Sequence, residues 1–168
     1  MCLLAIQRGA LGLVYPELNH TLELAHFKDI PPVHKMIAKE RTHHLYLPHA
    51  YNFPNIDAAI VQLKYSKNEA HVYLIQVTVA KDHKDSESKF FLTQWQQWKI
   101  MLAGNGFKRV YPKFIWINRK EPRMEVIREK IKSTRNQNII VMHAHDSVGV
   151  GIGMLDPRLL EVMGKRMS

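Results

Sequence analysis

Two short apolar segments in the middle of the chain limit what it can fold into: Asn55-Ile56-Asp57-Ala58-Ala59-Ile60-Val61 and Val72-Tyr73-Leu74-Ile75-Gln76-Val77-Thr78-Val79-Ala80. Each is a run of aliphatic and β-branched residues bounded by polar or turn residues, the pattern of a buried strand. The polar stretch Ser66-Lys67-Asn68-Glu69 between them reads as a turn, consistent with an antiparallel hairpin. Each segment carries one polar side chain in its middle, Asp57 in the first and Gln76 in the second. A carboxylate inside an apolar strand is costly unless something pairs with it, and a buried amide also needs partners. Adjacent strands let the two groups share one partner, and a divalent cation fits.

At 168 residues the chain is long enough for one domain with a full core and too short for two ordinary ones, so residues 1–168 are read as a single domain. No stretch of about 18 or more apolar residues exists, so no membrane partner is expected. The start, Met1 to Gly9, reads as helix or as the stub of a longer chain. It lacks a basic leader, and Gln7-Arg8 interrupt it too early for a signal-peptide core. A single cysteine excludes an internal disulfide, argues against a zinc–cysteine site and suits a reducing compartment. The net charge of +9, with ten further histidines, favours a polyanionic partner. The alternative is a charge that serves only solubility.

Along the chain, Ala10 to Phe27 reads as helical, with Leu11, Val14, Leu18, Leu22 and Leu24 near one face and a start or kink near Pro16. Lys35 to Pro48 reads as helix or strand, with a strand favoured near its end, and His49 to Pro54 as a loop. Beyond the hairpin, Lys81 to Ser88 is a charged loop. Ser88 to Ala103 has Phe90, Phe91, Trp95, Trp98 and Leu102 at helical spacing, stopped by Gly104-Asn105-Gly106; this stripe reads as core. Val110 to Asn118 is a strand with Pro112 near its start, Glu121 to Thr134 an exposed basic helix, Asn138 to His143 a short strand, and Pro157 to Met163 a closing helix. Gly149, Gly151 and Gly153 fall in a loop or weak strand.

Helices and strands in this order give an α/β core: a mixed central β-sheet flanked by helices, with polar groups projecting from neighbouring strands. The stretch Leu45-Tyr46-Leu47-Pro48, then Asn52-Phe53-Pro54-Asn55-Ile56-Asp57-Ala58, then Ile75-Gln76-Val77-Thr78-Val79-Ala80-Lys81-Asp82-His83, resembles the C-terminal nuclease domain of Crinkler effectors and the related retrotransposon hot spot proteins. Those domains belong to the PD-(D/E)XK restriction-endonuclease-like superfamily. The specific motifs cover residues 45–83, and the matching order of elements, αβββαβ, runs to about residue 118.

The resemblance implies a Mg²⁺- or Mn²⁺-dependent endonuclease acting on DNA, or on RNA, with little sequence preference. Carried onto this chain, Asp57 and Gln76 hold the metal with the Val77 backbone carbonyl as a further ligand. Oxygen donors suit a hard cation that polarises a phosphate. Thr78 stands where the superfamily lysine usually stands, which makes Lys81 the candidate for the displaced cation and His83 the second choice for proton transfer or phosphate binding. The resemblance also implies a secreted effector acting in a host nucleus, with host nuclear proteins as further partners; otherwise the chain is expected in nucleus or cytoplasm. No clear nuclear-localisation cluster stands in the sequence.

One departure concerns the first helix, where the family pattern is glycine-x-x-phenylalanine-glutamate-x-x-x-histidine. Gly12, Tyr15 and His20 match, but Pro16 occupies the glutamate position. Glu17 comes one residue late, a rotation of about 100 degrees around a helix. It joins the metal site only if Pro16 reshapes the helix start. Lys84, Arg119, Lys120, Arg123 and Arg128, with Lys130, Lys132 and Arg135, form a basic set able to track phosphates.

Each assignment has a plainer counterpart. Asp57 can be a strand-end residue bonded to backbone amides, Gln76 a satisfied core amide, His20 a packed ring and the basic run a solvated helix face. Glu40, His43 and His44 read as surface or structural residues. His143-Ala144-His145-Asp146 puts two histidines on one strand face but shows no third ligand. Two further hypotheses therefore stand beside the nuclease: a noncatalytic nucleic-acid-binding domain of the same fold, and a protein-interaction module.

Overall fold

The computed structural model describes residues 2–31, 43–50, 53–78, 85–118, 146–155 and 158. Its centre is the expected hairpin. Strands β3 (Ala58–Lys64) and β4 (Glu69–Thr78) pair antiparallel from Ala58↔Ile75 to Lys64↔Glu69. A 3₁₀ turn over Tyr65–Lys67 joins them and ends at Asn68, whose φ of 53° is the left-handed conformation that asparagine tolerates well. Val72 and Leu74 face one side of β4, Tyr73 and Ile75 the other, and all four are buried. The strand is apolar on both faces because both faces are covered.

The remaining strands extend this pair on either side. β1 (Glu23–Phe27), β2 (His43–Pro48), β5 (Arg109–Asn118) and β6 (Asp146–Gly151) complete a six-stranded sheet in the order β1-β2-β3-β4-β5-β6. β2, β3 and β4 form an antiparallel meander. β1 runs parallel to β2, β5 to β4, and β6 to β5. A parallel pair needs a long crossover, and the one between β4 and β5 carries helices α2 (Ser86–Thr93) and α3 (Trp95–Gly104). The expected α/β class, a mixed sheet flanked by helices, holds.

One core lies on each sheet face. On the first, Phe90, Phe91, Trp95, Trp98 and Leu102 of α2 and α3 pack against Ala59, Val61, Val72, Leu74, Phe114 and Trp116. Burying a large apolar side chain contributes roughly 1.5–3 kcal/mol, so this aromatic stripe fixes the helix pair to the sheet. On the second, Ile6 of α1 (Cys2–Gln7) packs with Leu11, Leu18 and Leu22 against Ile60, Tyr73, Ile75, Ile115 and Ile117. Ile152 and Leu155 of α4 (Ile152–Leu155) close its end. No helix among the described residues is long and apolar enough to cross a membrane.

Several expectations are corrected. Residues 10–27 do not form a helix but two 3₁₀ turns, Ala10–Leu13 and Pro16–Leu18, followed by β1. Pro16 opens the second turn, where its missing N–H costs nothing. Leu11, Leu18 and Leu22 are buried, as a helical face would have them, but Leu24, expected on the same face, is 47% exposed. The segment folds back on itself so tightly that a Cβ at Gly12 would lie 2.5 Å from the Asn19 Cβ, and one at Gly9 (φ 89°) 2.7 Å from the His20 backbone nitrogen.

The single helix expected over residues 88–103 starts earlier, at Ser86, and breaks at Gln94 into α2 and α3. The first central strand begins at Ala58, so Asp57 stands at its entrance and not in its middle. The glycine-bearing segment forms β6 and leads directly into α4. The helix expected over 121–134, the strand over 138–143 and, but for residue 158, the helix over 157–163 lie outside the described residues.

Candidate functional site

Asp57 and Gln76, 19 residues apart, meet where β3 begins and β4 nears its end. The Asp57 backbone N–H donates to the Ile75 carbonyl at 2.8 Å, which extends the ladder by one residue and aims the side chain along the strand ends. The carboxylate oxygen Oδ2 accepts the Val77 backbone N–H at 2.6 Å and the Gln76 Nε2–H at 2.8 Å. Gln76 Nε2 also lies 3.4 Å from the Val77 carbonyl oxygen. Hydrogen bonds to a carboxylate are roughly twice as strong as neutral ones. Gln76 is only 6% exposed, so Asp57 also satisfies an amide that burial would otherwise strand.

Asp57's charge is felt by its surroundings. The Cys2 thiol is pushed up to about 11, first by burial and then in part by Asp57, and so stays protonated at neutral pH. Thiolate chemistry at this end of the sheet is thereby disfavoured. Gln76 shares its sheet face with Trp116, its register partner on β5. The Trp116 indole N–H donates to Glu87 Oε2 at 2.9 Å, and the Ser147 hydroxyl of β6 donates to the same oxygen at 3.0 Å. Glu87 is 0% exposed and sits in the first turn of α2, where a carboxylate is favoured by the helix dipole. Sequence reading missed it: Glu87 falls in the charged stretch read as a loop, and its one signal is the pair of small serines that flank it, both also buried.

Glu17 goes elsewhere. Its Oε1 accepts the Tyr73 hydroxyl at 2.6 Å and lies 3.8 Å from Lys113 Nζ. Tyr73 and Gln76 are three residues apart on one strand and so project from opposite faces. Glu17 is therefore across the sheet from Gln76 and is not brought to the Asp57 pair. Burial works to raise its carboxyl, but the Tyr73 hydrogen bond, with Lys113 and His43, holds it below its ordinary value. Tyr73 is driven upward by burial and by Glu17, and Tyr15 is pushed up to about 12 by burial, Asp146 and Glu17. The Lys113 ammonium lies 4.6 Å from the Tyr15 ring centroid and 5.2 Å from that of Tyr73. A cavity of about 500 Å³ opens here, lined by Glu17, His20, His43 and Gln62.

The histidines divide. His43 and His44, read as surface or structural, are buried; His44 pairs with Glu23 at 3.2 Å, and the rings of His20 and His43 lie 4.6 Å apart. Lys81, His83 and Lys84, the basic residues Arg119, Lys120, Arg123, Arg128, Lys130, Lys132 and Arg135, and Glu40, His143 and His145 lie outside the described residues. Among the described residues no group of three or more histidine, cysteine, aspartate or glutamate side chains is arranged to hold a metal. No protein-family model matches the chain, and no curated protein or solved structure matches it.

Proposed function

We propose that the chain is a metal-dependent nuclease of Crinkler type, with a restriction-endonuclease-like core, that hydrolyses DNA phosphodiester bonds with little sequence preference. The observation that carries this reading is the 2.8 Å meeting of Asp57 with Gln76, residues drawn from two separate motifs. The order of elements supports it: the β2–β3–β4 meander, the α2–α3 crossover and parallel β5 follow the βββαβ sequence that such a core requires.

The donor set suits a hard cation. Asp57 offers a carboxylate, Val77 a backbone carbonyl and Gln76 an amide oxygen, and Mg²⁺ and Mn²⁺ favour oxygen ligands. As folded, Gln76 turns Nε2 toward Asp57, and a half-turn of the amide presents Oε1 instead. With one carboxylate among three protein donors, binding is weak until a phosphate adds its own oxygens. Such an ion supplies Lewis-acid polarisation and charge neutralisation at the phosphodiester. The chain's own contribution is orientation: the Val77 N–H fixes the Asp57 carboxylate, and burial fixes the Gln76 amide. In this reading Lys81 is the catalytic cation and His83 a proton-transfer or phosphate-binding group, with Lys84, Arg119, Lys120, Arg123 and Arg128 along the phosphates.

One observation favours a second reading, a noncatalytic nucleic-acid-binding domain. Two protein N–H groups already satisfy Asp57 Oδ2, and Glu17, the expected third participant, bonds Tyr73 on the other face. Degradation of plasmid and linear duplex DNA with Mg²⁺, Mn²⁺ or EDTA separates the two. Cleavage that needs the cation and disappears in Asp57→Ala and Gln76→Ala is the expected result. Intact DNA together with a mobility shift at low salt would leave the binding domain as the better account.

A further inference from the structure

The cavity lined by Glu17, His20, His43 and Gln62 lies on the sheet face opposite the Gln76 side chain, and the proposed nuclease reaction does not use it. Its volume of about 500 Å³ falls within the range of small-molecule sites, roughly 300–1,000 Å³. Gln62 is the unusual member. It sits on β3 between His43 and His71 in the cross-strand register, and it is 93% buried, being 7% exposed. No hydrogen bond to its side-chain amide is seen among the described residues, and the amide atoms are not fully buried, so the amide opens to the cavity instead of being sealed in the core. A polar group left open to a cavity is available to a ligand. The same cavity also presents a carboxylate, that of Glu17.

The charges around the cavity narrow the ligand. Glu17 is ionised at neutral pH, and its Oε1 is already held by the Tyr73 hydroxyl and Lys113. Burial, Lys64 and Lys113 depress His71, which is neutral there. A cationic ligand would meet Lys113 behind the carboxylate and a chain of net charge +9, so guanidinium and ammonium groups are disfavoured. A neutral planar ligand carrying both N–H donors and a ring acceptor suits the donors and acceptors present. The His20 and His43 rings supply aromatic surface for its faces.

We infer that this cavity binds a nucleobase bearing an exocyclic amine, with Gln62 pairing in bidentate fashion with the amine and the adjacent ring acceptor while Glu17 accepts the second amine proton. Glutamine reads adenine in this two-point way in nucleic-acid complexes. The base can belong to a free nucleoside or to an unpaired position of a strand.

The test is titration of the protein with adenosine, purine riboside (the same ring without the amine), arginine and short oligodeoxyadenylate, following the His20 and His43 ring protons by NMR. Adenosine should shift both rings saturably, with purine riboside at least about tenfold weaker because the paired groups are then left unmatched. Gln62→Met, close in shape but without the amide, should lose adenosine binding while unfolding close to the wild-type temperature. Tighter binding of the oligonucleotide than of adenosine would assign the base to a strand, and equal binding to a free nucleoside. Equal binding of purine riboside, preference for arginine, absence of any shift, or a Gln62→Met variant that keeps binding or melts well below wild type would each overturn the assignment.

Discussion

Gln76→Glu tests the Asp57–Gln76 pair in both of its aspects, as a contact and as a cation site. The substitution replaces an amide that donates to Asp57 with a second carboxyl at nearly the same position. Two unit charges at the present 2.8 Å separation repel by about 6 kcal/mol at an effective dielectric constant of about 20. Proton uptake limits that cost. With an unfolded pKa of about 4.3, holding the new carboxyl protonated at pH 7 costs roughly 3.7 kcal/mol, and its proton then replaces the lost N–H donor.

The folded pKa of the introduced group lies above its unfolded value, so the folded state binds more protons. The penalty is therefore absent below about pH 4.3 and grows by about 1.4 kcal/mol per pH unit until the folded pKa is reached. In a chain of this size that corresponds to a fall in melting temperature of roughly 7–15 °C at pH 7. Millimolar Mg²⁺ or Mn²⁺ should reverse it, since two carboxylates and a carbonyl make a better hard-cation site than one carboxylate. Calorimetry across pH with and without cation reads both effects. Wild-type stability at pH 7 in EDTA would refute the contact energetics; a destabilised variant that neither cation restores would refute the cation site.

Four further outcomes are expected. Tyr73→Phe removes the hydroxyl that bonds Glu17, so Glu17 should titrate closer to its ordinary value by NMR, with a stability loss of about 1 kcal/mol because Glu17 is partly exposed. Since the folded Glu17 carboxyl is depressed, its contribution is present above the unfolded pKa and is lost as pH falls through the folded one; Glu17→Gln should flatten that acid-side slope in urea denaturation. Trp116→Phe takes the indole donor from the fully buried Glu87 and should cost about 1–3 kcal/mol by the same measurement, with wild-type stability counting against a structural role for this bond. If Arg123 and Arg128 contact phosphates, the Arg123→Ala, Arg128→Ala double variant should reduce the salt slope of DNA affinity by about 2, and an unchanged slope would remove both from the interface.

The parts of the fold that could be read from sequence are those in which neighbouring residues carry the whole signal. β3, β4 and β5 are dense in β-branched and aromatic residues, and the polar residues 66–69 between the first two leave the chain little choice but to turn. The stripe Phe90, Phe91, Trp95, Trp98, Leu102 is core by its spacing, and it is core in the fold. Residues 10–27 misled for an instructive reason. Leu11, Leu18 and Leu22 recur at helical spacing, but the same three positions reach one core from two 3₁₀ turns and a bend, and the close approach of Gly9 to His20 and of Gly12 to Asn19 has no periodic signature.

By itself, the sequence determined the α/β class, the central hairpin and the nearness of Asp57 to Gln76, because strand patterning and a turn bring those two together locally. Only the tertiary structure decided where the other polar groups went. Glu17 bonds a residue 56 positions away, and Glu87 is reached by Trp116 and Ser147 from 29 and 60 positions away. The cavity at Gln62 takes its walls from β2, β3 and the Pro16 turn together with the bend at His20. Such contacts depend on how the two sheet faces are covered, and the covering is settled by packing over the whole domain: a buried carboxylate or amide goes wherever a donor of matching geometry is left, which no local run of residues encodes.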